Sequence, residues 1–206
     1  MEYIKDPMEI ERKSFEIITQ ELGEKTFPEK EGRIIKRMIH TTADFQYADI
    51  TEISKEAIDS ALTALREGCS IYTDTKMAMA GINKSVLKEL NCEIYCLVDD
   101  PQVAKEAKEK GLTRSMVAMK KAVEDEKTKI FVIGNAPTAL FQLCHYIDEE
   151  KKSPSLVVGV PVGFVGAKES KDELVKRSVP HITTLGRKGG STVAAAIVNA
   201  LLYMLK

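Results

Sequence analysis

Lys129-Ile130-Phe131-Val132-Ile133-Gly134-Asn135-Ala136-Pro137-Thr138-Ala139-Leu140 and Ser155-Leu156-Val157-Val158-Gly159-Val160-Pro161-Val162-Gly163-Phe164-Val165-Gly166-Ala167-Lys168-Glu169-Ser170-Lys171 are two units of one design. In each, a β-branched apolar run stops at a glycine, turns near a proline and passes into a helical pattern. Both faces of such strands are apolar, as expected of a parallel sheet covered by helices on both sides. Ligands of these sheets sit beyond the carboxyl ends of the strands. The loops 134–138 and 161–166 therefore mark the expected binding edge.

Working outward, strands are expected near Cys69–Thr73, Glu93–Val98, Ile130–Ile133, Leu156–Val158 and Pro180–Thr184, with helices between them. That alternation predicts a doubly wound α/β fold with a mainly parallel five-stranded sheet, flavodoxin-like in order 2-1-3-4-5. An N-terminal helical extension precedes it. Residues 1–25 carry an apolar stripe of Ile10, Phe15, Ile17, Ile18 and Leu22, ending at Gly23. A second helix starts at Pro28, buries Ile34, Ile35, Met38 and Ile39, and runs to about Thr41. Thr42–Thr51 is expected to be a loop, and Ser54 to cap a helix closed by Gly68. The 206 residues are expected to form one domain.

Composition excludes several classes. A net charge of −1 gives no general grip on nucleic acid. No charged-then-apolar leader opens the chain, and Val193–Leu205 is shorter than the roughly 20 residues of a membrane span, so neither export nor a membrane is expected. That apolar run reads as a buried helix or one at a subunit interface. Cys69, Cys92, Cys96 and Cys144 show no C-x-x-C and no zinc-ligand spacing. They read as buried reduced thiols, which points to the cytoplasm, and no metal site is expected.

Gly159, Gly163 and Gly166 do not fit a dinucleotide fingerprint, and Gly186–Ser191 does not fit a P-loop. His145 lies on a helix and His181 at a strand start, both with structural readings. His40 differs, because it ends the second helix with Arg37 one turn earlier. The helix carboxyl end favours imidazolium, whereas Lys36 and Arg37 oppose it, so the ring is placed to give or take a proton. Arg114 and Ser115 open a helix after Thr113, where N–H groups and a guanidinium converge on an anion. Asn135 stands in a turn where it can meet a carboxylate or serve the turn itself. Lys13-Ser14, Thr75-Lys76 and Arg187-Lys188 pair cations with hydroxyls and together suit a ligand with many carboxylates.

Arg37-Met38-Ile39-His40, Gly134–Leu140, Pro161–Lys171 and Gly186–Ser191 resemble the corresponding blocks of the precorrin-8X methylmutase family, which includes the cobalt-precorrin-8 methylmutases. The likeness runs from about Tyr3 to the C-terminus and includes Lys13-Ser14-Phe15 and Thr113-Arg114-Ser115. It implies a cobalamin-pathway isomerase that moves a methyl group from C-11 to C-12 of a corrinoid, without an organic cofactor, as a homodimer. By the resemblance the catalytic histidine falls on His40, and substrate contacts fall on Ser14 and Arg37. Thr138 and Gly163 join them through the loops that let a flat ring approach the backbone. Other enzymes of the pathway are expected partners. A corrinoid carrier that hands the intermediate onward is the competing reading, and it would not need His40.

Overall fold

The computed structural model describes residues 4–206. Residues 1–3, where the first helical stretch and the resemblance were expected to begin, lie outside the described residues. In chain order the elements are α1 (Pro7–Leu22), α2 (Glu29–Thr42), α3 (Tyr47–Ile50), β1 (Thr51–Ile53), α4 (Ala57–Glu67), β2 (Ser70–Thr73), α5 (Lys76–Gly81), α6 (Lys84–Glu89) and β3 (Glu93–Tyr95). They continue with α7 (Pro101–Lys110), α8 (Arg114–Glu124), β4 (Thr128–Ile133), α9 (Pro137–Glu149), β5 (Leu156–Gly159), α10 (Ala167–Val175), β6 (His181–Thr184) and α11 (Ser191–Tyr203).

Strand alternation divides the core. Ile71, Ile130, Val132, Leu156, Val158 and Ile182 face one way and pack with α1, α2, α4, α6 and α11. Tyr72, Phe131, Ile133 and Val157 face the other way and pack with α7, α8, α9 and α10. The central strands are apolar on both faces because both faces are covered, as the opening stretches imply. Local chemistry sets the helix starts. Thr75, Asn83, Asp100 and Thr113 each accept a backbone N–H from the first turn of α5, α6, α7 and α8.

Four expectations need correction. The sheet has six strands rather than five, in the order β1-β6-β5-β4-β2-β3, so its count and full order differ from the expectation; the five expected strands, β2 to β6, keep the order 2-1-3-4-5 among themselves, and β1 is added beyond β6. The added strand, β1, pairs antiparallel with β6, and α3 and the first residue of β1 replace part of the loop expected at Thr42–Thr51. Ser54 does not cap α4. Its Oγ accepts the His181 N–H at 2.9 Å and its own N–H donates to the His181 carbonyl at 3.0 Å, which latches β1 to β6. β3 is also shorter than expected, ending at Tyr95.

The apolarity of α11 is accounted for inside the chain. Val193, Ala194, Ile197, Val198, Leu201 and Leu202 are buried in the core shared with α2 and α4, so no subunit interface is required to explain it. No helix among the described residues is long and apolar enough to cross a membrane. The four cysteines are free, three of them buried and Cys96 half-buried.

Candidate active site

His40 stands in the last turn of α2 and is exposed. Its imidazole lies nearly flat on the ring of Phe15 from α1, with centroids 5.2 Å apart and planes 13° from parallel. Arg37, one turn earlier, sets its guanidinium 4.7 Å from the Phe15 centroid and 5.1 Å from that of Tyr203 on α11. Glu11 pairs with it at 2.6 Å. Ser14 precedes Phe15 on α1, and its Oγ donates to the Ile10 carbonyl at 2.8 Å. Ser14, Arg37 and His40 are thus brought to one patch around Phe15. A cleft of about 260 Å³ adjoins it, lined by Phe15, Arg33, Lys36, Arg37, Tyr203 and Met204. Three cations and no acid face that cleft.

The patch is tied to the carboxyl edge of the sheet. Beyond α2 the chain turns through Ala43 at φ 53°, and Asp44 forms an ion pair with Lys188 in the loop between β6 and α11. Lys188 and the Gln46 N–H hold the Asp44 carboxyl below its ordinary range. The same loop is anchored from below. Lys171, buried to 0% exposure, donates from Nζ to the Lys188 carbonyl at 2.7 Å, and the Thr184 hydroxyl donates to it at 2.8 Å.

Burial pushes the Lys171 ammonium down to about 8 from an ordinary 10.5. Below about pH 8 both folded and unfolded chains carry this charge and the folded state bears its full burial cost; above about 10.5 neither does. Stability from this group therefore rises with pH across that window, by on the order of 3 kcal/mol. The expected result is that the stability difference between wild type and Lys171→Met shifts in favour of wild type from pH 8 to pH 10. Urea unfolding of both proteins at each pH checks it, and a constant difference would contradict it.

The other expected residues form a second group. Thr113 caps α8, and its Oγ1 lies 3.3 Å from the Oγ1 of Thr138, in the first turn of α9. The α8 amino end, with exposed Arg114 and half-buried Ser115, is so placed against the loop that carries Asn135, whose side chain is exposed. Gly163 donates its N–H to the Arg187 carbonyl at 3.2 Å, joining the loops after β5 and β6. Lys13 and Lys76 pair with Glu16 and Asp99 rather than standing free for a ligand. His145 is on the α9 surface, and His181 is buried in β6 with Nδ1 donating to the Val179 carbonyl at 2.8 Å.

Asp74 escaped the sequence reading. It follows β2, is 1% exposed, and its two oxygens accept the N–H groups of Gly134, Asn135 and Ala136 at 2.9, 2.8 and 2.7 Å. Burial raises its carboxyl, while those three N–H groups pull it back down. The signal available in sequence was an acid directly at the carboxyl end of an apolar strand.

A larger cavity of about 1000 Å³ opens at the opposite edge, among the amino ends of the strands. Its walls carry Glu56, Asp59, Glu67, Glu93 and Glu126 against Lys55, Lys127 and Lys129. That acidic excess repels a polycarboxylate, so size does not make it the better site for one. Among the described residues no group of three or more His, Cys, Asp or Glu side chains is arranged to hold a metal ion.

A family model described as precorrin-8X methylmutase matches residues 9–204, which include every residue of both groups. The chain belongs to the precorrin-8X methylmutase family. It is 51% identical to the cobalt-precorrin-8 methylmutase of Salmonella typhimurium, over 100% of this chain and 99% of that one. It is 38% identical to the precorrin-8X methylmutase of Pseudomonas aeruginosa, over 98% and 97%. The crystal structure of precorrin-8X methylmutase from Thermus thermophilus superposes with a TM-score of 0.87 at 38% identity, covering 95% of this chain and 96% of that one. The likeness thus spans nearly the full length of these relatives.

Proposed function

We propose that the whole chain is one methylmutase domain. It moves a methyl group from C-11 to C-12 of cobalt-precorrin-8, giving the cobalt form of hydrogenobyrinic acid, with His40 as general acid. The observation that carries this reading is an exposed imidazole held flat on Phe15 beside a cleft faced by Arg33, Lys36 and Arg37. Greater identity to the Salmonella enzyme than to the Pseudomonas one favours the cobalt-bearing substrate over precorrin-8X.

The chemistry follows from the groups present. Imidazolium at His40 gives its proton to the conjugated macrocycle. The π system is drawn toward the new bond, and the methyl migrates with its bonding pair from one ring carbon to the next. The proton then returns to the imidazole, so charge and atoms balance. The migrating methyl never leaves the substrate, and the step uses no methyl donor. Arg37 and Ser14 hold carboxylate arms near His40. Arg114, Ser115, Asn135, Thr138 and the loop at Gly163 hold the far arms. Fixing the ring in its reactive geometry removes part of the entropic barrier.

A homodimer belongs to the same reading. A cleft of about 260 Å³ falls short of the roughly 300–1,000 Å³ usual for much smaller ligands. Phe164 and Val165, on the loop after β5, are 84% and 89% exposed, apolar surface for a second copy to cover. The free thiols suit the cytoplasm, where neighbouring pathway enzymes would take the product.

Purified protein given cobalt-precorrin-8 or precorrin-8X should convert the first faster, read as the absorbance change of the shifted chromophore. Binding without conversion would leave a carrier in place of an enzyme. A preparation that sediments as monomer at micromolar concentration would remove the dimer.

A further inference from the structure

Gly134, Asn135 and Ala136 present three successive N–H groups in the turn before α9, and Pro137 at the first helical position has none to add. Successive N–H groups at the amino end of a helix make a cradle for a phosphate or carboxylate ligand. Here the anion is already supplied: every hydrogen bond to the Asp74 carboxylate among the described residues comes from this cradle, and the group is shut off from solvent. The neighbouring Thr75 Oγ1 lies 2.8 Å from the Ser191 Oγ at the start of α11. The cradle loop touches the same point, since a Cβ on Gly134 would stand 2.7 Å from the Ser191 Cα. Asp74-Thr75 therefore braces two loops of the carboxyl edge against a third.

We infer that Asp74 is a built-in anion that fixes the 134–136 turn and the start of α9 in the shape needed to receive a carboxylate arm, and so is a positioning residue for the methyl shift. The inference rests on the reading that Asn135 and Thr138 bind substrate. Because the cradle's N–H groups are spent on Asp74, they are not available to a ligand. An arm must then be read by the exposed Asn135 amide, the Thr138 hydroxyl and the Arg114 guanidinium beside them. It also follows that this turn, though built like a phosphate site, takes no nucleotide.

The loop grips a remote arm of the substrate, so its contacts are the same in ground and transition states, and their loss raises KM while sparing kcat. Asp74→Ala is expected to raise KM at least about tenfold with kcat within about threefold. Millimolar formate, a free carboxylate of the right size for the emptied cradle, should bring KM back toward wild type. It should do nothing to wild type. Asp74→Asn keeps one acceptor oxygen but turns an NH2 toward an N–H. It should raise KM and resist formate, and it carries the test if the alanine variant fails to fold. Combined with Asn135→Ala, the effects should be less than additive, because both act through one loop.

Wild-type KM in Asp74→Asn, with KM raised by Asn135→Ala, would overturn the inference and leave the substrate loop standing. Formate that restores the melting temperature but not KM would make Asp74 merely structural and overturn it as well. Wild-type KM in both Asn135→Ala and Thr138→Ala would remove the substrate loop and this inference together.

Discussion

His40→Ala is expected to cut turnover by about 10²–10⁴-fold while product corrinoid still binds with nearly unchanged affinity. The lower end holds if water can protonate the ring in place of imidazole, and the upper end if the bound disc excludes water. The side chain is exposed and lies outside both core clusters, so its loss removes a ring stack and little packing. The melting temperature should move by no more than a degree or two, in line with a surface change of about 0.5 kcal/mol. Single-turnover absorbance separates chemistry from binding, and equilibrium titration with product gives affinity. Turnover at the wild-type rate would leave the proton with another group and return the carrier reading to consideration. Phe15→Leu is the companion variant. It keeps His40 and removes the flat support under it, and an intermediate loss is expected.

Gly189→Ala should unfold or severely destabilise the protein, by about 3 kcal/mol or more. Gly189 has φ 156°, and an added Cβ would come within 2.1 Å of the Val160 carbonyl oxygen. That oxygen cannot retreat cheaply, because it accepts the Gly190 N–H at 2.8 Å. Gly186→Ala is the control: its φ is 79° but no atom lies within 4 Å of the new Cβ, so only the backbone cost of about 1 kcal/mol is expected. Urea unfolding of the two variants should differ by about 2 kcal/mol or more. Equal stability would mean that the loop after β6 shifts freely, and with it the Lys188–Asp44 tie to the end of α2.

The parallel strands were readable because burial on both faces leaves an unmistakable apolar run, as at Ile130–Ile133 and Leu156–Val158. Local signals also served for α2, with its Ile34, Ile35, Met38 and Ile39 stripe, and for the helix that opens after Thr113. β1 was invisible, since Thr51-Glu52-Ile53 is too short for a period and owes its strand state to β6 far along the chain. Ser54 misled for the same reason: its hydroxyl follows a cap pattern but serves His181, 127 positions away. Asp74 was equally out of reach, with acceptor and donors separated by 60 to 62 positions. Within the candidate site, motif blocks named residues on both groups, but that His40 rests on Phe15, and that Arg37 lies between two rings, came from the packing of α1, α2 and α11.

The two outermost strands of the sheet have a bearing on how crowded this protein can be. β1 and β3 are each three residues long, and each carries an acid, Glu52 or Glu93. A row of unpaired backbone groups so brief, bearing a negative charge, is a poor template for a strand from a neighbouring molecule. Edge-to-edge pairing between molecules is thereby disfavoured at both margins of the sheet.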